Sequence, residues 1–208
     1  MNNMRLFFQR IAPITNEDWA LAEPLFTLRR LKKGEMFIEE GQISSHIGFV
    51  SSGLLRLFYR IDIEEKIMLF FTENTLVTDF YSFLARTPSS RPVQALEDCE
   101  LYCISADNLE SLYKQHSWER IGRRLSEFAY IYPVQRANRL LHDNYETRYQ
   151  TLLQEHPSLL QRVPQYMIAS YLDMTPETLS RVKRRLHQKS NSQVQPVHAL
   201  LPDNPFLL

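Results

Sequence analysis

The chain has 208 residues, enough for one large or two small domains around a real core, and its 24 Lys and Arg are balanced by 24 Asp and Glu. No apolar run approaches the ~18 residues of a membrane span, and the polar start MNNMRLFFQR has no signal-peptide core, so a cytoplasmic protein without membrane contact is expected. Cys99 and Cys103 lie in one expected strand, about 13 Å apart, too far for a disulfide and too few for a four-thiolate cluster.

Taken in order, Asn16 to Leu25 reads as a short helix entered through Thr15 or Asn16, with Trp19, Leu21 and Leu25 as its apolar contacts. From Phe26 to Ser105 the apolar period becomes two: Leu55, Leu57, Tyr59 and Ile61 alternate with Arg56, Phe58 and Arg60, and Ile67, Leu69 and Phe71 with Lys66, Met68 and Phe70. Turn signals recur at Lys33-Gly34, Glu40-Gly41, Ser52-Gly53 and Arg91-Pro92, which implies an antiparallel β sandwich or roll. Leu76 to Ala85 interrupts the strands as a loop and a short helix, and a further helix begins after Ser105 and runs to about His116.

Trp118 to His142 is expected to be one long helix. Ile121, Leu125, Phe128 and Tyr132 repeat at four, three and four residues, the spacing of a helix that packs on its symmetry mate. The alternative is an amphipathic helix lying on its own β domain. Pro133 predicts a kink or break near Ala129 to Pro133, either a hinge or a packing feature. Tyr145 to His156 reads as another helix, ended by Pro157, and from Ser190 the chain becomes an irregular tail. The organisation expected is thus α+β: a sensor unit over 1–116, a dimerisation helix over 117–143, a helical unit over 144–190 and a tail over 191–208.

The most informative stretch is Pro164 to Leu186, PQYMIASYLDMTPETLSRVKRRL. Ile168 and Leu172 on one short helix face Leu179 and Val182 on the next, with Ala169 small at the crossing and Met174 in the corner. Asp173 stands where such a corner usually carries a glycine with positive φ. Thr175 is placed to cap the second helix, Pro176 suits its first position and Glu177 its positive end. Thr178, Ser180, Arg181, Lys183, Arg184 and Arg185 follow. This pattern fits a helix-turn-helix whose first turns reach base edges while later cations meet phosphates. Arg181 would read a guanine edge and Glu177 a cytosine amino group. The bland alternative is an i,i+4 pair, Glu177 and Arg181, on a solvated face, worth only ~0.3 kcal/mol. Charge placement supports the DNA reading, since Ser158 to Ser190 holds six basic residues against two acidic ones.

A β roll, a long helix and this C-terminal unit, in that order, resemble the Crp/Fnr family of bacterial transcription regulators. Arg162 to Leu186 looks like the version common among Bacteroidetes members. The resemblance implies base contacts from Glu177, Thr178 and Arg181, which match the family's E-T-x-x-R motif. Pro176 replaces a basic or polar residue found there in many members, so one contact is missing. The implied partners are duplex DNA, a second copy of the chain, RNA polymerase and an unidentified small-molecule effector.

The family's cyclic-phosphate site transfers poorly. Its Gly-Glu pair aligns with Thr78 and Asp79 and its Arg with Ser89, so the candidate effector pocket is Thr78, Asp79, Ser82, Ser89 and Arg91. A buried phosphate needs a cation and close backbone approach. Thr78 is β-branched, Ser89 is uncharged, and Arg91 would face away if its segment is a strand. No tight cyclic AMP binding is expected. No nucleophile and base, metal-ligand spacing or phosphate loop is visible, so neither an enzyme nor a cofactor is expected. The alternative function is a ligand-binding or protein-interaction module that has lost DNA reading.

Overall fold

The computed structural model describes residues 1–190, and the expected tail over 191–208 lies outside the described residues. Eight strands form two four-stranded antiparallel sheets, in the orders β1-β8-β3-β6 and β2-β7-β4-β5. The strands are β1 Thr27–Leu31, β2 Met36–Ile38, β3 His46–Ser52, β4 Leu55–Ile61, β5 Glu64–Phe71, β6 Leu76–Val77, β7 Val93–Ala95 and β8 Cys99–Ser105. Side chains from both sheets, among them Phe37, Val50, Leu55, Leu57, Phe71, Val93 and Leu101, fill the space between them. The expected β roll is therefore present. Both cysteines are free and buried here, and burial pushes each thiol up to about 11.

The turn signals fall where the chain reverses. Gly34, Gly41 and Gly53 all have positive φ, and at Gly53 an added Cβ would sit 2.5 Å from the Asp98 carbonyl, so both conformation and space demand glycine. Leu76 and Val77 depart from the expected loop: they pair with β3 as strand β6, and only Phe80–Ala85 forms helix α3. Strict alternation also fails in β4, where Leu55, Arg56, Leu57 and Phe58 are all buried. A register shift between Leu57 and Phe58 turns the strand, and its outer face is covered by C-terminal helices.

The first helix, α1 Asn2–Ile11, was not foreseen. It buries Met4, Phe7, Phe8 and Ile11, while α2 Asn16–Ala22 is closed by a capping box between Thr15 and Asp18. These helices meet Phe49 and Leu76 of the roll and the start of the long helix in one aromatic-rich cluster, with Trp19 and Trp118 rings 6.5 Å apart. Helix α4 Ala106–Leu112 starts on the Ser105 hydroxyl, as expected, but stops four residues early, and α5 runs His116–His142. The predicted break is absent: α5 is continuous through Pro133, because losing one backbone bond leaves the neighbouring turns intact.

Helix α6 Tyr145–Glu155 is capped by Asn144, α7 spans Leu159–Arg162, α8 Gln165–Tyr171 and α9 Pro176–Ser190. Their shared core joins Tyr149, Leu152, Leu159, Ile168, Leu172, Leu179 and Val182 to Leu54, Phe58, Ile67 and Phe70 of the roll. Roll and C-terminal helices thus share one continuous apolar interface.

Candidate functional site

Helices α8 and α9 cross at Ala169, which is 0% exposed, with Ile168, Leu172, Leu179 and Val182 buried around it and Met174 in the corner. Asp173 adopts φ 55°, the left-handed conformation expected of a corner residue. The Thr178 amide donates to the Thr175 hydroxyl at 3.2 Å, capping α9, and Pro176 occupies its first turn. Arg181 donates to the Thr178 hydroxyl at 3.1 Å, so the guanidinium is steadied by its own helix. The helix's own amide and the Thr175 hydroxyl hold the Glu177 carboxyl below its usual range.

Leu179 and Val182 point inward, which leaves Glu177, Ser180, Arg181 and Arg184 on the exposed side of α9. Thr175 is exposed and Thr178 half-buried. Lys183 is half-buried rather than fully outward, and Arg185 leans back to Glu146 at 3.7 Å. The outward cationic face is therefore narrower than the sequence run suggests.

The corner is held by residues from elsewhere in the chain. At the end of α8 the Tyr171 carbonyl accepts from Arg136 at 2.6 Å and the Leu172 carbonyl from Arg148 at 3.0 Å, which satisfies helix-end acceptors. Lys66 of β5 pairs with Asp173, and the Ser170 hydroxyl accepts from the Ile67 amide at 2.9 Å. Before α8, Arg162 forms four hydrogen bonds of 2.7–3.0 Å, two each to Glu73 and Glu97. Burial pushes the Glu73 carboxyl up, but Arg162 and the backbone amides of Glu73 and Gly53 together outweigh it and leave the group below its usual range. None of these holding residues carried a sequence signal, because their partners lie 24 to 107 positions away in sequence.

The five candidate pocket residues fall into two hydrogen-bonded sets, Asp79 with Ser89 and Arg91, and Thr78 with Ser82 through Ser44. Asp79, 1% exposed, accepts from the Ser89 hydroxyl and from the Arg91 guanidinium. Arg91 does not face away: its segment is a bend, not a strand, and its guanidinium turns inward, 6.0 Å and 5.7 Å from the Tyr59 and Tyr81 rings. The Thr78 hydroxyl donates to the His46 carbonyl at 3.1 Å and lies 2.9 Å from the Ser44 hydroxyl, while the Ser44 amide donates to Ser82. Ser44, which joins Thr78 to Ser82, had no sequence signal. The pocket's cation is thus neutralised by a carboxylate of its own chain.

On helix α5, Ile121 and Leu125 are buried against the protomer's own core, and Phe128 and Tyr132 are half-buried beside them. Gly122 lies on the same face, where an added Cβ would be 2.5 Å from the Tyr113 ring. The same four, three, four spacing recurs farther on at Tyr130, Val134, Ala137 and Leu141, all exposed.

Among the described residues no helix is long and apolar enough to cross a membrane, and no group of three or more acidic, His or Cys residues could hold a metal ion. No curated protein matches the chain significantly. Solved structures do. The Thermus thermophilus catabolite activator protein is 19% identical over 88% of each chain, with a TM-score of 0.54. The c-di-GMP-responsive global regulator CLP of Xanthomonas campestris is 18% identical over 88% of this chain and 96% of its own, TM-score 0.63. A Crp/Fnr-family transcriptional regulator from Eubacterium rectale is 16% identical over 94% and 92%, TM-score 0.61. Residues 28–116 match the cyclic nucleotide-binding domain family, and the chain around them has the fold of Crp/Fnr-type regulators.

Proposed function

We propose that the chain is a homodimeric, cytoplasmic transcription regulator of the Crp/Fnr type, in which α8 and α9 form a DNA-reading helix-turn-helix. Residues 1–116 act as sensor, α5 pairs the protomers and residues 144–190 read DNA. The observation that carries this reading is the division of α9: Leu179 and Val182 bury against α8 while Ser180, Arg181 and Arg184 remain outward on a capped helix. Glu177, Thr178 and Arg181 meet base edges, and Arg184 with Arg185 meets phosphate.

Pairing uses the outward seam of Tyr130, Val134, Ala137 and Leu141, whose spacing suits a two-helix contact. Two recognition helices then fall on half-sites about 34 Å apart. The sensor pocket does not take cyclic nucleotides, because Asp79 already occupies the cation a phosphate would need. A different small molecule sets the equilibrium between arrangements of α5, and RNA polymerase is the downstream partner.

Selection of bound duplexes from a random pool, with and without cell extract, tests the reading. A recurrent paired motif with steep salt dependence is expected. A module that has lost DNA reading would give no enriched sequence and no salt-dependent shift.

A further inference from the structure

Helix α8 is fastened to the β roll at both ends. At its start Arg162 forks onto Glu73, which follows β5, and Glu97, which precedes β8. At its finish Ser170 bridges the Ile67 amide and the Glu65 carbonyl of β5, and Lys66, between them, grips Asp173. Between the two ends, Phe70 and Tyr171 rings meet at 5.3 Å and Ile67 and Phe58 pack with Met167 and Ile168. A helix of seven residues has little freedom once both ends are fixed, so its direction, and through the corner that of α9, is set by the roll.

We infer that Arg162 and Lys66 are positioning residues for DNA reading, fixing the angle at which the roll presents α9 to a duplex. The inference rests on the proposed DNA-reading function and adds residues outside the helical corner. Both side chains are paired within the protein: Arg162 is 24% exposed and its hydrogen bonds all run to Glu73 and Glu97, and Lys66, though 53% exposed, is drawn to Asp173. They therefore act through α8 rather than by touching phosphate. Asp173 has a double duty, since it accepts Lys66 while holding a left-handed φ that glycine adopts more easily.

The chemistry separates this role from simple bracing. Arg162→Gln leaves Glu73 and Glu97 without their shared cation, whereas Arg162→Lys keeps the charge but loses the planar fork. Lys66→Ala removes the grip at the other end and leaves the core intact.

The test uses the full chain with a duplex obtained by selection, comparing wild type, Arg162→Gln, Arg162→Lys, Lys66→Ala and Arg181→Ala. Arg162→Gln is expected to weaken binding on the order of tenfold, Lys66→Ala about threefold, with Arg162→Lys between Arg162→Gln and wild type. The salt dependence should be unchanged in all three, because no phosphate contact is lost. Amide hydrogen exchange over residues 165–175, measured without DNA, should speed up in Arg162→Gln and Lys66→Ala. A salt slope reduced by about one would mean direct phosphate contact and overturn the inference. Unchanged exchange over 165–175 would overturn it whether or not DNA binds. Arg181→Ala separates the two readings: if it weakens binding while Arg162→Gln does not, DNA reading stands and positioning fails. If no variant, nor wild type, selects DNA, the functional reading fails with it.

Discussion

Arg91 closes onto Asp79, whose side chain is only 2% exposed, so the cation of the candidate effector residues is neutralised from inside the fold. An incoming phosphate would have to displace a buried carboxylate and leave it unpaired, an outcome that costs several times a surface ion pair. Calorimetry with cyclic AMP and cyclic GMP is therefore expected to give no low-micromolar binding. Asp79→Asn should lower stability by roughly 2 kcal/mol in urea denaturation, as a charged hydrogen bond is removed. Micromolar affinity of the wild type for either nucleotide would show that Arg91 is available after all.

On α9 the exposed cations have separable roles. Truncating Arg181 to Ala should cost roughly 1 to 3 kcal/mol and relax specificity at one base pair. Arg184→Ala should weaken all sequences alike and lower the salt slope by about one. Anisotropy titrations of selected and scrambled duplexes over a range of salt distinguish them. Wild-type affinity in Arg181→Ala would remove it from base reading.

These assignments also mark what could be read from the chain. The α8–α9 corner is local: Ala169, Asp173 and Thr175 lie within seven residues, and their roles follow from size, φ and capping alone. Strands with glycine turns were legible for the same reason. Helix α1 carries a readable signal at Met4, Phe7, Phe8 and Ile11, an apolar stripe at helical spacing. Arg162 and Lys66 were beyond reach, because each takes its role from a partner brought close only by folding. On helix α5 the same spacing fits two faces, and periodicity does not say which one the protomer itself covers.

That ambiguity yields a direct test of the dimer. Val134→Glu and Leu141→Glu place charges on the outward seam and should shift the chain to monomer in sedimentation velocity, with its melting temperature nearly unchanged. Ile121→Ala, on the inward face, should instead cost about 2 to 5 kcal/mol of stability. Dimers that survive both seam substitutions would place the interface elsewhere.

Stability should also respond to pH in two separate windows. Burial is the main cause that pulls His156 below its ordinary value of 6.5, with Arg139 adding to it and Glu155 opposing, and burial does the same at His46 with help from Arg29. A histidine with a depressed folded value binds its proton more readily when unfolded. Its contribution is therefore complete above about 6.5 and is lost as pH falls from there toward the folded value. Asp18, Asp98, Asp173 and Glu73 are also held low, by hydrogen bonds that outweigh desolvation, but their contribution begins to fail only below ordinary values of 3.8 and 4.5. The melting temperature should stay level from pH 8 to 7, decline as the pH drops below 6.5, and fall again below 4.5. His156→Gln should flatten the first decline in part, leaving the His46 share, and should not alter the second. A single decline confined to the acid range would mean that neither histidine is held neutral by the fold.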